Sequence, residues 1–333
     1  MHERPIPLWR AVLLCQVCLA LGSGASCAGL PDEGLRFRRV WGYVYKGEEK
    51  ALTGSEPITD IAYFSVAVND IGRLDRPGSG GVQRPILSGR PGLDRRVHLV
   101  VSAPANRSLM YWCLSKDLAT RAGLIQDIAA VCVNFDGVQI DFEAIRPQEG
   151  QAYVSFLKDV KTALAPGQVL SVAVPARTRV QEDAYDYAAI ASIADAVLVM
   201  AYDEHWRTGS PGPIASVDWC RRVCAFATQK IPSDKLVMGL PLYGRAWQEE
   251  DPARALTWDQ TQKLLRSLSK SPSREQDGTP FFEYWHPSKM RVFFEDVESL
   301  SAKLALYRGE GVQAVGFWRI GQGPADLWRG LSL

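Results

Sequence analysis

Eight short apolar runs recur along this chain, and several of the longer stretches between them have the spacing of amphipathic helices. The runs are rich in Val, Ile and aromatic residues and are bounded by Gly, Pro or Asp, which is typical of buried β-strands. Strand and helix in regular alternation predict parallel strands with helices packed outside them. The predicted strands are Val40–Tyr45, Ile61–Val66, Val97–Ser102, Gly137–Phe142, Val169–Val174, Val197–Tyr202, Leu236–Leu242 and Val312–Trp318.

Three of the intervening stretches carry apolar residues at helical spacing, namely Leu118–Val131, Gln151–Leu164 and Ser216–Gln229. Pro147 precedes the second of them and Pro166 follows it, as expected at helix boundaries. The sequence therefore predicts an α/β fold of the (β/α)8 TIM-barrel type. An open doubly wound sheet is the alternative, but no glycine-rich phosphate-binding motif follows any predicted strand.

Two segments interrupt this alternation. Residues 73–91 are rich in Gly, Pro and Arg and predict a long loop between the second and third strands. Residues 248–295 predict a small α+β insertion between the seventh strand and the last helix. The predicted elements in and after the insertion are a helix at Thr257–Leu268, strands around Phe281–Tyr284 and Arg291–Phe294, and the last helix at Val297–Tyr307.

The N-terminus has the composition of an export signal. The apolar run Ala11–Leu21 follows two arginines and is too short for a membrane-spanning helix, which needs about 20 residues. A buried N-terminal helix is the alternative. Cleavage before Cys27, which would then be lipidated, and ordinary cleavage after Ala28 are both open. We assign residues 1–27 to a signal peptide and 28–333 to the barrel, and expect an exported bacterial protein, periplasmic, secreted or at the cell surface.

Composition restricts the class of partner. A formal net charge of +1 argues against a nucleic-acid-binding surface, which would be strongly basic. We expect a monomer that contacts a membrane only through a lipid on Cys27. Asp203, Glu204 and His205 lack the spacing of metal ligands, and we expect neither a metal nor a cofactor. Four cysteines beyond the signal are predicted to be buried thiols: Cys113, Cys132, Cys220 and Cys224.

The segment 135–143 (FDGVQIDFE) carries the strongest chemical signal. On a strand, side chains alternate between faces, so Gln139, Asp141 and Glu143 share one face and the apolar residues between them share the other. The apolar face suits packing against outer helices, which directs the polar face into a solvated cleft, because dry burial would be costly. Repulsion between neighbouring carboxylates favours protonation of one of them, which could then act as a general acid. A helix cap or an ion pair is the non-catalytic alternative.

This segment resembles the signature of family 18 glycoside hydrolases, the chitinase family, which reads Asp-Gly-x-x-x-Asp-x-Glu with a further Asp in the middle. Asp136, Asp141 and Glu143 match it, whereas Gln139 stands where that further Asp is usual. Three other segments resemble the family's motifs at the sixth, seventh and eighth strands: Met200–Asp203, Leu240–Arg245 and Gly316–Trp318. The sequences of 202–206 (YDEHW) and 318–322 (WRIGQ) resemble those of bacterial spore-cortex-lytic and cell-wall members of the family, which often lack the middle Asp.

The resemblance implies substrate-assisted, retaining hydrolysis, in which the sugar's own 2-acetamido oxygen is the nucleophile. Glu143 would protonate the leaving oxygen, Asp141 would accept the acetamido N–H, and Tyr202 would donate to the acetamido oxygen. Gln139 can still hydrogen-bond Asp141 but cannot take its proton. Residues expected to bind substrate are Asp136, Gln139, Met200, Asp203, Tyr243, Arg245 and Trp318, the last as an aromatic floor beneath the sugar.

Two hypotheses of function follow. The first is a glycosidase that cleaves β-linked, N-acetylglucosamine-containing glycans, either peptidoglycan or chitin-like oligosaccharides. The second is a catalytically weak or inactive chitinase-like lectin, since a fold alone never fixes an activity. The retention of Glu143, Asp141 and Tyr202 favours the hydrolase, because lectin-like relatives typically lose the acid.

Overall fold

The computed structural model describes residues 34–75, 82–87, 93–103, 105–143, 145–248 and 252–333. The predicted signal peptide and Cys27 lie outside these residues, as does part of the predicted loop at 73–91. None of the helices in the described ranges is long and apolar enough to cross a membrane.

Eight parallel strands close into a barrel in the order β14-β2-β3-β4-β5-β6-β7-β8, which confirms the TIM-barrel prediction and excludes the open sheet. The strands are β1 (Leu35–Arg36), β2 (Arg39–Tyr45), β3 (Asp60–Ala67), β4 (Arg96–Ser102), β5 (Gly137–Asp141), β6 (Val169–Pro175), β7 (Ala196–Met200), β8 (Leu236–Pro241), β9 (Gly244–Gln248), β10 (Arg254–Leu256), β11 (Ser273–Arg274), β12 (Pro280–Trp285), β13 (Lys289–Phe293), β14 (Ala314–Trp318) and β15 (Leu331–Ser332). All eight predicted strands are barrel strands, with ends shifted by up to two residues.

Helices cover the outside of the barrel. They are α1 (Arg107–Leu114), α2 (Ala119–Val131), α3 (Gly150–Ala163), α4 (Tyr187–Ile193), α5 (Val217–Thr228), α6 (Trp258–Ser267) and α7 (Val297–Gly309). Capping side chains fix several starts: the Ser216 hydroxyl accepts from the Trp219 N–H before α5, and the Asp296 carboxylate accepts from the Ser299 N–H before α7. The predicted helices are confirmed, and each observed end lies within two residues of the predicted one.

Two apolar layers hold this architecture together. The outward faces of the strands pack against the helices in one continuous core that includes Val138 and Ile140. A smaller cluster fills the barrel interior and contains Trp41, Leu198 and Ala314. Barrel enzymes place their catalytic groups at the carboxyl ends of the strands, so a site is expected at that end.

A small α+β unit lies between β8 and α7, as the sequence predicted. Its five-stranded antiparallel sheet has the order β10-β9-β13-β12-β11, and α6 packs on it through Leu265. The sheet includes β9 and so begins at Gly244, a few residues before the expected start at residue 248. Beyond the insertion, Lys303 in α7 is fully buried, and its Nζ lies 2.7 Å from Oε2 of Glu295, two residues before that helix.

The cysteine prediction is confirmed within the described residues. Cys113, Cys132, Cys220 and Cys224 are buried free thiols. Burial raises the pKa of the Cys113 thiol to about 11, which keeps it protonated and unreactive at neutral pH.

Candidate active site

The strand β5 carries two carboxyl groups to the open end of the barrel. Asp141 is its last residue, and Glu143 follows two positions later. Side chains alternate as the sequence predicted: Val138 and Ile140 point outward into the main core, whereas Gln139 and Asp141 point into the barrel. The two acids therefore reach the cleft from the same face of the chain.

A pocket of about 300 Å³ opens beside these acids, within the size range of small-ligand sites. Its lining residues are Tyr43, Phe64, Asp141, Glu143, Met200, Tyr202, Asp203, Tyr243, Arg245, Ala255, Trp318, Arg319 and Gln322. A second hollow of about 650 Å³ shares Phe64, Asp141 and Glu143 with it and continues past Asn69 and Ser102. Because the two hollows share these three residues, they form one cleft with the acids near its middle.

The side-chain amide of Gln139 forms hydrogen bonds with two residues other than Asp141. Its amide oxygen accepts from the Tyr43 hydroxyl at 2.5 Å, and its amide nitrogen donates to Ser171 Oγ at 3.4 Å. Asp141 Oδ1 is buried and has no hydrogen-bond partner among the described residues. Gln139 thus bonds Tyr43 and Ser171 rather than Asp141, and Asp141 presents an unsatisfied acceptor beside the pocket.

Burial and neighbouring carboxylate charges raise the pKa of both acids. Asp141 is only 8% exposed, and burial, followed by the charge of Glu143, raises its pKa from 3.8 to about 7. Glu143 is exposed at the cleft, yet the surrounding walls partly desolvate its carboxyl group. That desolvation, followed by the charge of Asp203, raises the pKa of Glu143. The pair can thus retain a proton at a pH where free carboxyl groups are ionised.

Tyr202 and Trp318 border the same pocket. Burial, followed by the neighbouring Tyr43 and Asp141, raises the pKa of Tyr202 well above its ordinary value, so its hydroxyl remains a hydrogen-bond donor. Gly239 on β8 makes room for its ring, since a Cβ there would lie 3.0 Å from Tyr202 Cε1. Trp318 is the last residue of β14, and its ring packs edge to face against the Tyr43 ring, with centroids 5.0 Å apart.

Asp203 has its own tight set of partners. Its backbone adopts a left-handed conformation with φ of 60°, and its Oδ1 accepts from the Tyr243 hydroxyl and from Arg245 Nη2 at 2.6 Å. The Arg245 guanidinium also lies over the Tyr243 ring, 5.2 Å from its centroid. These three residues, together with Met200, line the pocket, and their contacts fix the wall that faces Glu143.

Asp136 is not brought to the cleft. It precedes β5, at the opposite end of the barrel from Asp141, where its Oδ2 accepts from the Val97 N–H at 2.6 Å and pairs with Arg84 at 2.7 Å. Its position ties β5 to β4 and does not support the predicted contact with substrate. Glu204 likewise bonds the Ser216 N–H at 2.7 Å and is not among the residues lining the pocket.

No group of three or more His, Cys, Asp and Glu side chains in the described ranges has the arrangement of a metal site. The pocket brings together two carboxyl groups and several aromatic side chains. That arrangement suits acid–base chemistry.

Comparison with known proteins accords with this geometry. The family described as glycosyl hydrolases family 18 matches residues 96–323. The chain belongs to this family. The chain is similar to the "Cortical fragment-lytic enzyme" of Bacillus cereus, with 32% identity over 207 residues, 58% of the chain and 48% of that protein. The "Uncharacterized glycosylase YvbX" of Bacillus subtilis is 30% identical over 209 residues, 60% of the chain and 61% of that protein.

Solved structures share the fold of this family 18 chain. The spore cortex-lytic enzyme SleL of Bacillus cereus superposes with a TM-score of 0.77 at 23% identity, covering 89% of this chain and 74% of that one. A chitinase from Chromobacterium violaceum gives a TM-score of 0.76 at 23% identity, covering 88% and 97%. The chain spans about half to three-fifths of the length of the first sequence relatives.

Several pocket residues of this family 18 chain were not predicted. Tyr43 and Phe64 face the barrel interior, and alternation along the predicted strands Val40–Tyr45 and Ile61–Val66 could have identified them. Arg319 lies 4.5 Å from the Tyr45 ring centroid and pairs with Glu48 at 2.6 Å. Nothing in the local sequence pattern links Arg319 to a loop that follows β2.

Proposed function

We propose that the protein is a glycosidase that hydrolyses β-linked, N-acetylglucosamine-containing glycans by substrate-assisted, retaining catalysis. The observation that carries this proposal is the placement of Asp141 and Glu143 in one pocket with Tyr202 and Trp318. The raised pKa of both acids supports it, because a neutral carboxyl group is needed to protonate a glycosidic oxygen.

In the first step, the sugar lies on Trp318 with its 2-acetamido group between Asp141 and Tyr202. The unpartnered Oδ1 of Asp141 accepts the acetamido N–H, and the Tyr202 hydroxyl donates to the acetamido oxygen. That oxygen attacks the anomeric carbon while Glu143 transfers its proton to the departing glycosidic oxygen. The products are an oxazolinium ion and a free hydroxyl on the leaving sugar, with the new positive charge beside Asp141.

In the second step, a water molecule opens the oxazolinium ion. Glu143, now a carboxylate, takes a proton from the water as its oxygen bonds to the anomeric carbon and the carbon–acetamido oxygen bond breaks. Two inversions at the same carbon give net retention, and Glu143 regains the proton it donated. Fixed partners for the acetamide matter because a neutral amide is a weak nucleophile whose orientation limits the rate.

Peptidoglycan is the substrate we favour over chitin. The relatives at 30–32% identity are five Bacillus proteins, of which three are called cortical fragment-lytic enzymes and two are called glycosylases. The cleft continues on both sides of the acids, so a glycan chain can extend past the cleaved bond in either direction. A wall substrate also fits export of the protein.

A chitinase-like lectin is the second candidate, because the same aromatic floor could hold a sugar without cleaving it. We would distinguish the two by incubating purified peptidoglycan and chitooligosaccharides with wild type, Glu143→Gln and Glu310→Gln, and analysing released sugars by mass spectrometry. Glu310 is exposed beyond the end of α7, so its substitution controls for loss of a glutamate charge.

We expect wild type and Glu310→Gln to release reducing ends that keep the β configuration, and Glu143→Gln to lose at least about 100-fold in rate. Binding of either glycan without any release by wild type would instead identify a lectin. Release by Glu143→Gln at the wild-type rate would remove Glu143 from the mechanism.

A further inference from the structure

The amino-terminal end of the barrel carries a group of exposed arginines. Arg36 on β1, Arg38 beside it and Arg308 in the last turn of α7 line a hollow of about 460 Å³. All three side chains belong to exposed residues, and none forms an ion pair with any residue that the structure describes. We call these three residues the arginine face.

This face lies at the opposite end of the barrel from the cleft. The strand β1 pairs with β15, and β2 begins at Arg39, immediately after the arginine face. The barrel strands are parallel, so Arg39 marks their amino-terminal ends whereas Asp141 marks a carboxyl end. Seven residues of β2 span about 20 Å, which separates the arginine face from the acids by roughly the height of the barrel.

Further positive charge lies next to the arginine face. The Arg39 guanidinium donates to the Asp234 carbonyl at 2.6 Å, and burial lowers its pKa, with the charges of Asp60 and Asp234 opposing and those of Arg96 and Arg38 adding to the shift. Arg96 pairs with Asp60 at 2.7 Å, whereas Arg38 has no ion pair among the described residues. A surface of this kind is stabilised by anions supplied from outside.

We propose that the arginine face docks on an anionic phospholipid surface. Guanidinium groups match phosphate oxygens in geometry and charge. Residues 28–33 connect Cys27 to this face. Gly34 follows Cys27 by seven positions, which span at most about 25 Å, so a lipid on Cys27 would hold the arginine face against the headgroups. The cleft would then point away from the membrane, towards the cell wall.

The test is co-sedimentation of the full exported chain with vesicles of phosphatidylcholine alone or mixed equally with phosphatidylglycerol. The exported chain keeps Asp32 and Glu33, which directly precede Gly34, so their negative charges are included in the measurement. The test variant combines Arg36→Gln, Arg38→Gln and Arg308→Gln. A second variant with lysine at the same three positions retains the charge, and thermal unfolding of each protein verifies that it is folded.

The control variant removes the same charge elsewhere, through Arg221→Gln, Arg222→Gln and Arg266→Gln on exposed positions of α5 and α6. We expect wild type to prefer phosphatidylglycerol vesicles. The glutamine variant should lose about 100-fold in that binding, at about fivefold per arginine, whereas the lysine and control variants retain most of it.

Equal binding of wild type to both kinds of vesicle, or equal losses in the test and control variants, would overturn the proposal. Glycan hydrolysis should be unchanged in the glutamine variant, because the arginine face is a barrel's height from the acids. The proposal does not rest on the proposed glycosidase activity: vesicle binding can fail while hydrolysis is normal, and the reverse.

Discussion

Asp141→Asn is expected to stabilise the folded protein at alkaline pH while removing activity. Asp141 is 8% exposed, its Oδ1 has no partner among the described residues, and its pKa is raised to about 7, first by burial and then by the charge of Glu143. A buried carboxylate without partners is costly, and asparagine removes the charge at nearly the same shape.

The magnitude follows from the pKa. An increase from 3.8 to about 7 corresponds to about 4 kcal/mol, at roughly 1.4 kcal/mol per pKa unit. The folded state binds this proton more tightly than the unfolded chain does. The free energy of unfolding of the wild type therefore falls as pH rises from about 4 to about 7 and is level above that. Asp141→Asn lacks this loss, so its advantage over wild type should grow by up to about 4 kcal/mol between pH 4 and pH 8.

Urea unfolding of both proteins at pH 4, 6 and 8 measures this difference, and titrations that are the same in both proteins cancel. Asp136→Asn is the matched control on the same segment. Burial tends to raise the pKa of Asp136, but Arg84 and the Val97 N–H outweigh it and lower that pKa. Asp136 therefore stabilises the fold above about pH 4, and its substitution should become more harmful as pH rises. An advantage of Asp141→Asn that does not change with pH would refute the reasoning.

Three further predictions concern Trp318, Gln139 and the buried ion pair between Lys303 and Glu295. Trp318→Ala should lower kcat/KM by at least about tenfold, with peptidoglycan digestion as the measurement; an unchanged value would remove Trp318 as the sugar platform. Gln139→Asp should keep activity but move the acid limb of the pH–rate profile to lower pH, because a second carboxyl group can share the proton of Asp141; an identical profile contradicts this. Lys303→Met should cost about 3–5 kcal/mol in urea unfolding by leaving Glu295 buried and unpaired, and a loss below about 1 kcal/mol would show that the pair contributes little.

Most of the architecture could be predicted from local sequence because the barrel repeats one simple pattern. Each strand is a short run of Val, Ile and aromatic residues, and the buried strands tolerate little else. The period of two along β5 likewise identified which residues turn inward, including Gln139 and Asp141. The start of the insertion was predicted late, because β9 follows β8 after a short turn and its residues Gly244–Gln248 show no separate strand pattern.

The contacts between distant strands could not be predicted. Asp136 matches the family's motif as well as Asp141 does, yet they lie at opposite ends of one strand, and only the register with β4 shows that Asp136 bonds the Val97 N–H. The bond between Tyr43 and Gln139 joins residues 96 positions apart. Because a glutamine amide can donate or accept, its type alone could not exclude a bond to Asp141.

The position of Gln139 links the stability of the site to its chemistry. An aspartate there could share a proton with Asp141, whereas Gln139 is already committed to Tyr43 and Ser171. Asp141 is thus left buried with an acceptor that has no partner among the described residues and that a donor on a ligand could satisfy. An N-acetylated sugar supplies such a donor, and the positive charge that forms on its acetamido group would favour the carboxylate form of Asp141. The substrate would therefore relieve the same unfavourable burial that lowers the stability of the free protein.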